Sequence, residues 1–339
     1  MTAVISGLGA WLPPERVTNA DLCRELNTTE EWITTRTGIH ERRRISPGMT
    51  VTDLATEAAT RAVESAGAAT IDAVVLATSS PERLGQAAAP GVAVRLGLGS
   101  LPAFDVVSAC SGFMYGLATA TGLIDAGIAG TVLLIGAEAF TTMVNGADRN
   151  TAPLFGDGAG ALVLRRGDEN ELGAIGRFDL GSDGSRADLA AIPAGGSRQR
   201  SMSGGLGLDS VPAADWFLTM DGRALFVQAV ERMSATALAA LARASWSTDD
   251  VDCFVSHQAN IRIGQAVAEE MDIPASRVPV NIDRTGNCLT ASIPLLLTDA
   301  VASGQLKAGH RVLLAAFGGG LSWGATTLTW PDVPVTHAG

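Results

Sequence analysis

The chain has 339 residues, 47% of them hydrophobic, and 39 glycines, enough for a large α/β core with tight turns. Its formal net charge of −11 excludes a broad nucleic-acid surface, which needs clustered Lys and Arg. No apolar run reaches the roughly 20 residues of a membrane span, and the amino terminus lacks a charged segment followed by an apolar one, so a cytoplasmic protein without membrane contact is expected.

Basic residues cluster once, at Arg36 and at His40-Glu41-Arg42-Arg43-Arg44, readable as a solvated loop or as a local site for a phosphorylated ligand. Ile71-Asp72-Ala73-Val74-Val75 then has strand character. So does Ala103-Phe104-Asp105-Val106, which passes through Ser108-Ala109-Cys110-Ser111-Gly112 into a helical pattern of Met114, Leu117, Ala118, Leu123 and Ile124. That turn places the Cys110 thiol at a helix amino terminus. Free N–H groups and the helix dipole there favour a thiolate, so a pKa of about 8.5 for free Cys is expected to fall by one or more units. Taken alone, Cys110 reads more simply as a small buried hydrophobe.

Farther along come the strand Val132-Leu133-Leu134-Ile135, a Gly-rich turn into a strand at Phe155 to Leu164, and a Gly-, Ser- and Arg-containing stretch from Gly184 to Val211 that predicts a long mobile loop. Of four histidines, His40, His310 and His337 read as surface residues. His257 stands at the carboxyl end of the apolar strand Val251 to Val255, where open α/β sheets place their chemistry. Asn287, in Arg284-Thr285-Gly286-Asn287, opens an apolar helix and reads equally as its cap or as a site residue.

These segments form a repeat. Ile71 to Val75 resembles Val251 to Val255, Val132 to Ile135 resembles Val312 to Ala315, and both pairs lie 180 residues apart. Gly318 to Leu328 is a second Gly-rich turn into a strand. A duplicated α/β unit follows, with halves at 1–165 and 166–339 related by a pseudo-twofold axis that brings the Cys110 and Asn287 turns together. Cys23, Cys110, Cys253 and Cys288 form neither a disulfide framework nor metal-ligand pairs, so no disulfide and no metal are expected; no permanently bound cofactor is expected either.

Cys110 in Ser-Ala-Cys-Ser-Gly-Phe, His257 in His-Gln-Ala-Asn, Asn287 in Gly-Asn-x-x-x-Ala-Ser and the run Ala316-Phe317-Gly318-Gly319-Gly320 together resemble the β-ketoacyl-(acyl-carrier-protein) synthase III family of the thiolase superfamily. Thr18 to Leu22, Glu31-Trp32-Ile33, Thr35 to Ile39 and Phe155 to Ala161 match in order and spacing. The resemblance implies a five-layer αβαβα homodimer with a buried active site at the end of a tunnel. It implies acyl transfer from an acyl-coenzyme A substrate to Cys110, then decarboxylative Claisen condensation with a malonyl thioester carried by acyl carrier protein. Backbone N–H groups of Cys110 and Gly319 would form the oxyanion hole, and His257 and Asn287 would stabilise the enolate. Trp32 and Arg149 match positions that sandwich the coenzyme's adenine. Thr28 and Arg36 match neighbours of the nucleotide and phosphate, and Gly222, Phe226, Asn260 and Arg262 match the pantetheine tunnel.

Departures bear on the substrate. Gly85 stands where relatives place a Phe from the partner subunit in the acyl pocket, which Phe317 also lines, so a larger acyl group is expected. Glu269, Glu270 and Val227 replace basic positions that attract an acidic carrier protein; Arg223, Arg232 and Arg262 remain as a possible docking patch. Fatty-acid initiation and polyketide starter-unit priming both fit, the latter favoured by Gly85 and the acidic rim. The alternative is an acyltransferase that moves an acyl group from Cys110 to a hydroxyl or amine without condensation. Cys288 is read as packing.

Overall fold

The computed structural model describes residues 1–67, 70–202 and 211–335. Ala73–Ala77 and Thr131–Glu138 are apolar at almost every position because both faces of their sheet are covered. Val75, Val132 and Leu134 enter one core, whereas Val74, Leu76, Leu133 and Ile135 enter another on the opposite face, as the two-residue period of a strand requires. This sheet runs in the order Thr2–Trp11, Gly158–Gly167, Thr131–Glu138, Ala73–Ala77, Ala103–Val106. A second sheet has Cys253–Ser256, Arg311–Gly318, Ser322–Thr329 and Asp179–Ser182 in that order.

Two helices, Gly112–Asp125 and Ser292–Ala302, fill the space between the sheets. Phe113, Met114 and Leu117 from the first and Ile293, Leu296 and Leu297 from the second pack with Val75 and Leu134 below and Val255 and Leu314 above. Each such side chain stabilises the fold by roughly 1.5–3 kcal/mol relative to exposure. Val51–Ser65 and Ala89–Arg95 cover the outer face of the first sheet, and Gly222–Ala244 with Ile261–Glu270 that of the second. The layers therefore alternate αβαβα.

The 180-residue repeat is visible in the hydrogen-bond register. Ala73 pairs with Val132 and Cys253 with Val312, both in parallel. Asp72 accepts from the N–H groups of Gly130 and Thr131 at 2.8 Å, and Asp252 from that of Arg311 at 2.9 Å, so each Asp closes the start of its strand pair. Ala109 and Leu289, also 180 apart, both have φ of 42°. Such a conformation costs a non-glycine residue about 1–2 kcal/mol, and here it starts the three-residue turns Ala109–Ser111 and Leu289–Ala291 that lead into the central helices. The counterpart of Cys110 is thus Thr290, three residues past Asn287.

Three expectations are corrected. Glu41–Arg44 is a strand paired with Glu15–Thr18, not a loop. Its Arg42 is wholly buried and donates to the carbonyls of Val17 and Pro153 and to Asn19 Oδ1, so the cluster forms no joint anion site. The part of the 184–211 stretch that is described contains the turn Gly184–Leu189, the strand Ala190–Ala191 paired with Thr219–Met220, and the helix Ser197–Met202; residues 203–210, like His337, lie outside the described residues. Gly222–Ala244 is long and apolar enough to cross a membrane by length and composition, which the reading of apolar runs missed. Its Ala229, Met233, Ala237 and Leu241 instead pack on Phe254 and Leu313 of the second sheet.

Candidate active site

Cys110 follows Ala109 on the turn that ends the strand Ala103–Val106, one turn before the helix at Gly112. The turn sits close against the end of Arg311–Gly318: a Cβ on Gly318 would lie 2.7 Å from the backbone nitrogen of Cys110, so only glycine permits this approach. The thiol is not lowered as its helix position suggests. Burial and the nearby Glu138 push it up to about 12, against an opposing pull from the backbone N–H groups of Cys110 and Gly319. Desolvation of the anion outweighs the local dipoles here.

His257 directly follows the strand Cys253–Ser256 and is buried. Burial lowers its pKa to about 3, so the ring is neutral throughout the working range of most enzymes. Its Nδ1 lies 2.6 Å from Ser292 Oγ, and its buried Nε2 has no hydrogen-bond partner. Asn287 is held by backbone bonds to Leu154 and Gly156, and its Oδ1 accepts from the N–H of Leu289 at 2.9 Å. The side chain does cap the turn that follows it. Capping through oxygen leaves the Nδ2 end available as a donor.

Cys110, His257, Asn287, Phe317 and Gly319 line one cavity of about 740 Å³. Leu154, Gly222, Phe226 and Asn260 line both that cavity and an adjoining one of about 530 Å³ walled by Trp32, Arg36 and Arg262. The two form a path from surface to thiol. At its mouth the Arg149 guanidinium lies 4.9 Å and that of Arg36 5.6 Å from the Trp32 ring centre, while Arg262 stacks on Phe226 at 5.7 Å. Arg149 rests on the indole itself, so a ring entering between them must displace it. Asn260 donates to the carbonyl of Arg36 at 2.9 Å, tying the second half of the chain to the first.

Other residues stand apart. Thr28 lines neither cavity, although its hydroxyl is buried without a partner. Gly85 lies on an exposed loop outside the cavity of its own chain, with φ of 83° and open space where a Cβ would be. Arg232 packs on Trp323 at 4.8 Å and is committed there rather than to a docking patch, whereas Arg223 and Arg262 are exposed. Glu270 accepts from Ser234 at 3.1 Å. Cys288 is wholly buried, and all four cysteines are free.

Two residues of the site escaped the sequence. Glu138 is fully buried at the end of the apolar strand Thr131–Glu138 and accepts from Ser79 N–H, Ser80 Oγ at 2.7 Å and Thr290 Oγ1 at 3.0 Å. Its pKa rises to about 7 because burial outweighs those bonds. A carboxylate closing an otherwise apolar strand was the available signal. Ser292 is the other, visible only as the last residue of the Gly-Asn-x-x-x-Ala-Ser run.

Five layers with a Cys, a His and an Asn on one central cavity are the arrangement of the thiolase-like class of enzymes. Profiles of that class match here: 3-oxoacyl-(acyl-carrier-protein) synthase III over residues 104–184 and its C-terminal region over 241–330. The chain is 50% identical to β-ketoacyl-(acyl-carrier-protein) synthase III 5 of Streptomyces coelicolor over 97% of its own length and 98% of the relative's. It is 46% identical to the synthase III of Pseudomonas aeruginosa over 98% of each. A crystal structure of 3-oxoacyl-(acyl-carrier-protein) synthase III from Pseudomonas aeruginosa superposes with a TM-score of 0.91 at 44% identity, covering 98% of this chain and 100% of that one. The priming β-ketosynthase of a polyketide biosynthetic pathway gives 0.90 at 33% identity, covering 98% and 97%. The chain belongs to the β-ketoacyl-(acyl-carrier-protein) synthase III family of the thiolase superfamily.

Proposed function

We propose that the enzyme joins an acyl group from acyl-coenzyme A to a malonyl thioester by decarboxylative condensation. The observation that carries this reading is the placement of Cys110, His257 and Asn287 on one cavity, with His257 Nε2 unpartnered and the Asn287 amide nitrogen at its free end. Cys110 sulfur attacks the thioester carbonyl, the backbone N–H groups of Cys110 and Gly319 hold the oxyanion, and coenzyme A leaves with the thiol's proton. The malonyl thioester then loses carbon dioxide. His257 and Asn287 donate to the enolate oxygen while its carbon attacks the acyl-enzyme, which releases the Cys110 thiolate.

The pocket geometry supports coenzyme A as donor: cations and an indole for the nucleotide at the mouth, and a tunnel past Gly222, Phe226 and Asn260 for the pantetheine arm. The names of the relatives support acyl carrier protein as the partner that brings the malonyl group, docking near Arg223 and Arg262. Val107, which directly follows the edge strand Ala103–Val106, and Leu84, beside Gly85, are exposed apolar residues; they support a homodimer formed at that edge, into whose partner pocket the Gly85 loop would reach. Fatty-acid initiation and polyketide priming both accommodate this chemistry, and the lack of a side chain at Gly85 favours a starter larger than acetyl. Plain acyl transfer to a hydroxyl or amine would leave the Asn287 donor without a task. Intact-protein mass spectrometry after incubation with a panel of acyl-coenzyme A thioesters tests the reading: the acyl mass is expected on Cys110, and its appearance on Cys23, Cys253 or Cys288 would overturn it.

A further inference from the structure

We propose that Ser292 is a positioning residue that fixes the tautomer of His257, holding the ring's single proton on Nε2, where it faces the reacting oxygen. The inference rests on the decarboxylative reading, in which His257 is a donor, but its structural part stands apart from it.

Proton accounting at the buried contact carries the argument. Ser292 begins the central helix Ser292–Ala302 and is 2% exposed. Its Oγ receives the N–H of Gln258 at 3.3 Å and lies 2.6 Å from His257 Nδ1. A hydroxyl has one proton to give. No other acceptor contacts this Oγ among the described residues, and a buried donor left unmade costs about 1–3 kcal/mol. Donation to Nδ1 satisfies it. A neutral imidazole has one N–H, so an Nδ1 that accepts leaves the proton on Nε2. The opposite tautomer would leave the Ser292 proton without an acceptor and turn a lone pair of Nε2 toward the enolate, which repels it.

The contact also divides labour between the two stages. An Nε2–H ring cannot take the Cys110 proton at that nitrogen, so His257 acts in decarboxylation and not as the base for acylation. Orientation of a catalytic imidazole through its other nitrogen is a general device. Here a neutral hydroxyl from the pseudo-symmetric helix performs it in place of a carboxylate, and the ring stays uncharged.

Nitrogen-15 NMR of protein labelled at histidine tests the proposal on the wild-type protein, with His257 assigned by comparison with His257→Ala. The expected spectrum shows a protonated Nε2 and an unprotonated Nδ1 for His257. A protonated Nδ1 would overturn the proposal whatever the enzyme's activity. Kinetics supply the second arm. Ser292→Ala should acylate Cys110 at close to the wild-type rate and lose about 10- to 100-fold in release of carbon dioxide from a malonyl thioester, less than removal of the donor itself. Ser292→Thr, which keeps the hydroxyl, should recover most of that loss. Equal losses in both stages, or no recovery by Thr, would make Ser292 a packing residue. Absence of carbon dioxide release by the wild type would instead sink the condensation reading and leave the tautomer result standing.

Discussion

Replacing Gly318 with Ala puts a Cβ 2.7 Å from the backbone nitrogen of Cys110, 2.8 Å from that of Ser111 and 3.2 Å from Cys110 Cα. All three neighbours are main chain, held between a strand end and a short turn, so they cannot yield as a flexible side chain would. Overpacking of this kind costs about 1–3 kcal/mol of stability, which at an unfolding entropy of about 2.1 cal/mol/K per residue lowers Tm by roughly 1–4 °C in a chain of this length. The chemical effect should be greater. The displaced atom is one of the two proposed oxyanion donors, and losing such a donor slows the step about 100- to 1000-fold. Gly319→Ala is the internal comparison: its Cβ would meet Ala190 Cβ at 3.3 Å and Ala190 O at 3.4 Å, on a two-residue strand at the cavity wall that needs to shift by only a few tenths of an ångström. Rapid-quench mass spectrometry of acyl-Cys110 formation should therefore show Gly318→Ala slowed by at least about 100-fold and Gly319→Ala far less affected. A wild-type rate for Gly318→Ala, or equal losses in the two variants, would refute the reasoning.

Because burial pushes the Cys110 thiol up to about 12, its thiolate fraction should grow with every rise in pH through the alkaline range. Alkylation by iodoacetamide, followed by mass spectrometry, should accelerate about tenfold per pH unit between pH 7 and 10; a plateau already at pH 8 would mean that the N–H groups outweigh burial. Trp32→Ala removes the surface on which Arg149 and Arg36 rest and should weaken acylation by coenzyme A thioesters while sparing N-acetylcysteamine thioesters, since remote binding energy acts only through the part of the substrate contacted. Equal losses on both would assign Trp32 a structural role.

The frame of two halves was legible because the strands that pair, Ala73 with Val132 and Cys253 with Val312, are buried on both faces and so are written as uninterrupted apolar runs. Cys110, His257 and Asn287 could be picked out because each follows a strand or opens a helix, and the repeat brings the Cys110 and Asn287 turns together on the cavity that His257 also lines. The ionisation of Cys110 was misread. Its local position argues for a low pKa, but the opposing influences are enclosure by the rest of the fold and the charge of Glu138, on a strand end 28 residues downstream. Arg42 was misread for a similar reason: a run of three arginines looks solvated until strand pairing turns the first one inward, onto the carbonyls of Val17 and Pro153. Ser292 stood in the Gly-Asn-x-x-x-Ala-Ser run, but its role was not legible there, because only the apposition of two chain segments 35 residues apart puts its hydroxyl against His257.

A malonyl thioester labelled in its free carboxyl group, given to wild type and to Asn287→Ala after both have been acylated, measures the central step directly. Asn287→Ala keeps the thiol and both backbone donors, so the acyl-Cys110 intermediate should form normally. Decarboxylation then lacks one of two donors, a loss of roughly 3–4 kcal/mol in transition-state stabilisation. The account predicts labelled carbon dioxide from the wild type and a decline of about 100- to 1000-fold in the variant with acylation intact. Product formed without labelled gas, or undiminished release from Asn287→Ala, would contradict it.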